Sequence, residues 1–311
     1  MEFAFTEEQE ALRREAREFL ARTPEPSWAQ LAELGWLGVS VPEEQGGAGL
    51  GFLEEAVLFE ELGRSLYGGP YFATVGLALP ALGAEALERV AAGSERWSAE
   101  VDGLVPGLGS VDRVVTARGA VAADGEELPT MDESRPLGRL RDGGEAEELP
   151  GEIDRPRALA ALALEAVGIA QRALELGVEH ASMRRQFGRP IGVYQAVSHQ
   201  LADTYVQTEL ARSLAYWAAW SVAERDGGAP LAAAAAKAFC SEAAVAACER
   251  AIQVLGGIGF TWEHVLHRYY KRAQWIEAFW GFPAALRAEV ADAILAPDRE
   301  ESPDGIPARV A

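Results

Sequence analysis

The run Met183-Arg184-Arg185-Gln186-Phe187-Gly188-Arg189-Pro190-Ile191-Gly192, followed by Gln195, decides how the rest of the chain is read. It places Arg184, Arg185 and Arg189 within six residues of a chain whose formal net charge is -20. Gly188, Pro190 and Gly192 mark a backbone that leaves a preceding helix and bends sharply. Two readings of the cluster stay open on charge alone. Cations at a helix C-terminus complement the partial negative charge of its last carbonyls. Arginines beside a tight turn also clamp a phosphate or pyrophosphate through bidentate hydrogen bonds.

Around this run the composition is that of a soluble globular protein, with 49% hydrophobic and 24% charged residues. The 311 residues allow one to three domains and a sizeable core. Ala and Leu dominate and β-branched residues are sparse, so helix should prevail. The acidic balance argues against a nucleic-acid partner, which would show a broad basic face. Neither a signal peptide nor an uninterrupted apolar run of transmembrane length is visible, so no membrane partner is expected. Cys240 and Cys248 stand eight apart in an Ala-rich helical stretch, too far for an unstrained disulfide. They read as small buried residues of a reducing cytoplasm. His264-x-x-His267 has no acidic or Cys partner to complete a metal set, and no metal is expected.

Thr6-Glu7-Glu8-Gln9 has the form of a capping box, followed by Leu12, Ala16, Phe19 and Leu20 at helical spacing. Further helices are predicted over 28–34, ended by Gly35, over 52–62, capped by Gly63, and within 77–91. Between residues 93 and 150 the texture turns to Gly, Asp and short strand-like runs. Four or five strands are predicted there, with a hairpin turn at Asp124-Gly125. Four long helices follow, over 157–183, 197–225, 230–255 and 263–296, which suggests an antiparallel bundle. The expected division is 1–92 helical, 93–150 β, 151–297 bundle, and 298–311 a polar flexible tail.

A mainly α chain of this order resembles the acyl-CoA dehydrogenase family. Phe5-Thr6-Glu7-Glu8-Gln9 is similar to the family's start, and Glu33-Leu34-Gly35-Trp36-Leu37-Gly38 with Pro42-Glu43-Glu44-Gln45-Gly46-Gly47 resembles its first Gly-rich loop. The arginine run with Gln195 looks like the family's flavin-pyrophosphate motif. Gln253-Val254-Leu255-Gly256-Gly257-Ile258-Gly259-Phe260-Thr261 with Glu263 looks like its second flavin motif. There Gly256, Gly257 and Gly259 would end one helix and open the next, with Thr261 as N-cap and backbone amides bare toward a phosphate or ribose. The resemblance implies that Arg184, Phe187, Gln195, Gln253 and Gly257 contact FAD held mainly by a neighbouring subunit. Arg185 and Arg189 match the motif less well.

Two departures qualify the resemblance. Nothing between Glu100 and Gly151 is similar to the family's flavin-ring strands, so this chain alone is not expected to cradle an isoalloxazine. The family's reaction also needs a carboxylate to take the α-proton of a CoA thioester. The two positions that carry it in the family align here with Trp280 and Ala158, and neither accepts a proton. Glu277 and Glu165 lie near them in sequence and are the displaced candidates, with surface solvation as the commoner role for such residues.

This pattern resembles the non-catalytic partner chain of actinobacterial steroid-degrading acyl-CoA dehydrogenases, which are α2β2 heterotetramers. The expected function is to complete the FAD site of a catalytic partner subunit in dehydrogenating a bulky acyl-CoA, with electron-transfer flavoprotein as acceptor. The alternatives are a self-sufficient enzyme using Glu165 or Glu277 as base, and a flavin-free scaffold.

Overall fold

Thr6 opens the first helix as its spacing predicts. Its hydroxyl accepts from the Gln9 amide (3.2 Å) while the Gln9 side chain accepts from the Thr6 amide (3.1 Å). The computed structural model describes residues 5–141 and 144–295, and the predicted tail at 298–311 lies outside them. Helix α1 (Glu7–Arg22) packs on α3 (Phe52–Ser65), with α2 (Trp28–Glu33) and α4 (Ala84–Ala91) beside them. Gly35 terminates α2 in the left-handed conformation (φ 73°), as predicted.

Gly63 does not cap α3, which runs on to Ser65 and ends with Leu66 at φ 60°. Gly63 instead lets α3 approach α5 (Arg155–Met183). A Cβ there would lie 2.3 Å from the Glu165 carbonyl oxygen. Its role is close packing between two helices, which local sequence does not distinguish from a cap.

The middle segment forms two small sheets. In one, β1 (Trp97–Ala99) pairs parallel with β3 (Arg113–Thr116), which pairs antiparallel with β4 (Gly119–Ala122). In the other, β6 (Leu137–Leu140) lies between β2 (Val105–Pro106) and β5 (Gly125–Leu128). The predicted hairpin turn at Asp124-Gly125 is therefore a passage between sheets. The hairpin in this region turns at Ala117-Arg118, where Thr116 pairs with Gly119.

In the C-terminal bundle α5 packs on α6 (Gln195–Ala223) and most extensively on α7 (Ala229–Leu255). Fully buried alanines along α5 and α7 let these helices approach closely. The stretch 229–260 is apolar enough to cross a bilayer by length and composition, but it is interrupted by charged residues and is mostly buried as the core helix of this bundle. The predicted fourth helix is broken into α8 (Leu266–Ala278) and α9 (Pro283–Leu295). The break follows from Trp280 at φ 54°, Gly281 at φ 118° and a proline two residues on. Cys240 and Cys248 are free and buried.

Candidate functional site

The arginine run closes α5 and turns back on itself. After Met183, β7 (Arg185–Gln186) pairs with β8 (Arg189–Pro190), and the Ile191 amide donates to the Arg184 carbonyl at 2.8 Å. The two-residue tip, Phe187-Gly188, has both φ values positive (51° and 78°), the condition for a tight primed hairpin turn. Phe187 is consequently held out in solvent at 92% exposure. Arg184, Arg185 and Arg189 are exposed as well, and none has an acidic partner within 4.0 Å among the described residues. An unpaired cationic hairpin on an acidic chain is suited to an external anion.

The second motif reaches the same end of the bundle. Leu174 and Ala181 of α5, Leu201 of α6 and Val254 of α7 form one buried cluster, against which Ile191 and Val197 pack. This cluster places the hairpin, the start of α6 at Gln195 and the end of α7 at Gln253 around one apolar knot. Both glutamine side chains are exposed. Gly256 ends α7 with φ 65°, and residues 256–260 form a 3-10 turn. A Cβ on Gly257 would meet nothing within 4 Å, whereas one on Gly259 would lie 2.7 Å from the Ile252 carbonyl oxygen. Gly259 is thus required by the fold and Gly257 is not. Thr261 is not the N-cap of α8. That position is Val265, and the Thr261 hydroxyl donates back to the Ile258 carbonyl at 2.8 Å.

This end also exposes Phe260 (79%) and Trp262 (75%), while Tyr205, Val206 and Leu210 are exposed along α6. The donor set fits FAD as it stands: a guanidinium for pyrophosphate, two amides and open backbone for the adenosine side, and an exposed ring.

The two base positions lie elsewhere and are closed. Ala158 is fully buried in the main core. Trp280 is half-buried between core clusters, with the Arg155 guanidinium carbon 5.9 Å from its ring centroid. Beside them Trp275 and Phe279 stack at 4.6 Å, and Phe72 meets both edge-on. The Arg135 guanidinium carbon lies 5.2 Å from the Phe72 ring and 5.0 Å from the Trp275 ring. The space between the π-helical turn Phe72–Ala78, α5 and α8 is therefore filled by the chain's own side chains.

Surface solvation, the commoner role expected for Glu165, is overturned. The carboxylate is buried and accepts from Arg135 through both oxygens at 2.7 Å, and from Arg272 at 2.7 Å. Arg272 also pairs with Asp132 and donates to the Ser134 hydroxyl at 2.8 Å. This buried network pins the 130–136 loop between α5 and α8. Its guanidinium donors occupy the oxygens a base would need free. The network was not legible as a unit, since its Arg135–Glu165, Arg272–Glu165 and Arg272–Asp132 bonds join residues 30, 107 and 140 apart and carry no periodic signal.

Glu277 is half-buried, and its carboxyl is held above the usual carboxylate range by burial and by Glu242, with Lys237 opposing. Lys237 is buried and donates to the main-chain carbonyls of Glu277 (2.9 Å) and Gly281. Burial brings its pKa down to about 8. It tethers the break between α8 and α9, a task the sequence reading did not assign. Among the described residues no group of three metal-ligating side chains occurs.

Residues 157–295 match the acyl-CoA dehydrogenase C-terminal domain and residues 6–92 its N-terminal domain. Acyl-CoA dehydrogenase IpdE2 of Mycobacterium tuberculosis is 37% identical, with 80% of each chain covered. Acyl-CoA dehydrogenase FadE34 of the same organism is 37% identical over 82% of this chain, which spans 40% of that larger protein. Among solved structures, the Tcur3481-Tcur3483 steroid acyl-CoA dehydrogenase (G363A variant) superimposes with a TM-score of 0.77 at 26% identity, covering 93% of this chain and 98% of that one. The ChsE4-ChsE5 complex of Mycobacterium tuberculosis shares the fold, with a TM-score of 0.81 at 24% identity over 96% of this chain and 100% of that one. With the predicted mainly α fold in place, and both domain models and a relative at 37% identity matching, the chain belongs to the acyl-CoA dehydrogenase family of oxidoreductases.

Proposed function

We propose that this chain is the FAD-completing, non-catalytic subunit of a heteromeric acyl-CoA dehydrogenase of the α2β2 form. The observation that carries the reading is the contrast between its two ends. The flavin-motif end is open and cationic, while the positions aligned with the family's base are a fully buried Ala158 and a half-buried Trp280, neither of which accepts a proton. FAD, when bound, accepts the hydride of α,β-dehydrogenation. This chain's contribution is to hold its phosphate and adenosine side: Arg184 on the pyrophosphate, Phe187 against the cofactor, Gln195 and Gln253 as amide partners, and Gly257 allowing close approach. The partner supplies the catalytic glutamate and the contacts to the flavin ring.

The likeness to the Tcur3481-Tcur3483 steroid acyl-CoA dehydrogenase supports, as substrate, a bulky CoA thioester formed on the side chain of a steroid. The complex would pass electrons to electron-transfer flavoprotein in the cytoplasm. Under this reading the chain purified alone is colourless, and co-expression with a homologue from a neighbouring gene gives a yellow complex. Native mass spectrometry of that complex counts subunits and FAD. A yellow, active homo-oligomer of this chain alone would refute the proposal.

A further inference from the structure

The turn that bears Gly257 leads into α8 through two histidines whose hydrogen bonds demand opposite protonation. The Leu266 backbone N–H can only donate, so His264 Nδ1, 3.2 Å away, must be an unprotonated acceptor. The His264 carbonyl can only accept, so His267 Nδ1, at 2.8 Å, must carry a proton. Protonating the His267 ring leaves its bond intact, because Nδ1 stays a donor. Protonating His264 turns its acceptor into a donor facing another donor, and places a positive charge at the start of the 13-residue α8.

The surroundings act in the same direction. From α5, His180 and Arg172 disfavour a charge on His264 and Glu179 favours it, while His267 of α8 disfavours it. Partial burial is the largest of these effects, and together they hold His264 below the ordinary histidine range. His180 is itself held low by burial and by Arg184 of the hairpin, so the cluster is continuous with the cationic run. On the other side of the cap, exposed Trp262 meets the His267 ring edge-on at 4.8 Å, with Lys271 Nζ 4.4 Å from its centroid.

Resting on the flavin reading above, we propose that His264 is a positioning residue of the flavin-facing turn, holding residues 256–265 in register with α8 only while its ring is neutral. Neutral, it supplies the first amide of α8 with an acceptor that the N-cap Val265 cannot provide. Protonated, it releases that amide, frays the first turn of α8 and loosens the Trp262–His267 contact. Retention of FAD then falls as the pH drops through the His264 titration.

Nitrogen NMR on the full chain labelled at histidine is expected to show His264 unprotonated at Nδ1 and His267 protonated at Nδ1 at neutral pH, with the Leu266 amide losing protection against hydrogen exchange, relative to its intrinsic rate at each pH, as His264 titrates. In the FAD-loaded complex, retention is expected to be about fivefold weaker near pH 5.5 than near pH 7.5, the scale of losing one helix cap. His264→Asn, which caps without titrating, should retain FAD alike at both. Coincident pH profiles for the wild type and His264→Asn would overturn the proposal, as would an Nδ1-protonated His264 at neutral pH. Arg184→Ala near pH 7.5 separates the two readings. Undiminished FAD in that variant removes the flavin reading, whereas lost FAD together with coincident profiles removes only the role of His264.

Discussion

Arg135 and Glu165 face one another across the core with two parallel 2.7 Å hydrogen bonds, one to each carboxylate oxygen. The pair ties the 130–136 loop to the middle of α5, and Arg272 shares the same carboxylate from α8. An apolar pair could fill the same volume, but removing one partner strands a buried charge. Glu165→Ala is therefore expected to destabilise the chain by about 3–5 kcal/mol in urea titration. Arg135→Ala should cost less, because Arg272 still pairs with the Glu165 carboxylate. Turnover per folded complex should be unchanged in the Glu165 variant if the partner carries the base, and a selective loss of turnover without loss of stability would restore Glu165 as that base.

The glycines of the second motif separate folding from ligand approach. Gly259→Ala forces a Cβ to 2.7 Å from the Ile252 backbone oxygen, so its melting temperature should drop clearly. Gly257→Ala meets nothing in the lone chain and should leave stability within about 0.5 kcal/mol. The same substitution should nevertheless lower FAD content in the assembled complex. Equal FAD content in Gly257→Ala and wild type would show that the cofactor does not approach this turn.

The three hairpin arginines should not be equivalent. Arg184→Ala is expected to weaken FAD retention about tenfold or more, the scale of a lost charge-assisted hydrogen bond. Arg185→Ala and Arg189→Ala should weaken it less, and their effects should shrink in high salt because exposed charges are screened. Retention of FAD measured by gel filtration and absorbance at several ionic strengths distinguishes the three.

Lys237 offers a pH signature of the break between α8 and α9. Its pKa is brought to about 8 by burial, below the ordinary lysine value, so the unfolded chain binds more protons between the two. Stability from this group therefore rises with pH from about 8 to about 10.4, by about 3 kcal/mol for the full shift. Lys237→Met should abolish that rise. It should also cost stability at pH 7, because the Glu277 and Gly281 carbonyls lose their donor. Parallel pH profiles of wild type and Lys237→Met would exclude Lys237 as the source.

Much of the fold is legible because its signals are local. The Thr6–Gln9 capping box, the left-handed Gly35 and the apolar periods of α5, α6 and α7 involve contacts within a few residues of each other. The arginine run and the Gln253–Gly259 run are legible for the same reason, since a helix end and a tight turn are written in adjacent residues. Where glycine or proline had several possible uses, local reading chose wrongly. Gly63 serves helix packing, Asp124-Gly125 a passage between sheets, and Thr261 an internal turn bond.

The sequence by itself determined the mainly helical order with its short middle strands, the two motif runs and the lack of a carboxylate at Ala158 and Trp280. Only the tertiary structure decided that Glu165 is a buried structural anion, that Arg135 and three aromatic rings fill the space beside the base positions, and that both motifs meet at one end of the bundle. The physical reason is range. Hydrogen-bonded turns and helix periods act over a few residues, whereas the Arg135–Glu165–Arg272–Asp132 network and the knot beneath the hairpin join residues brought near only by packing of α5 against α7 and α8.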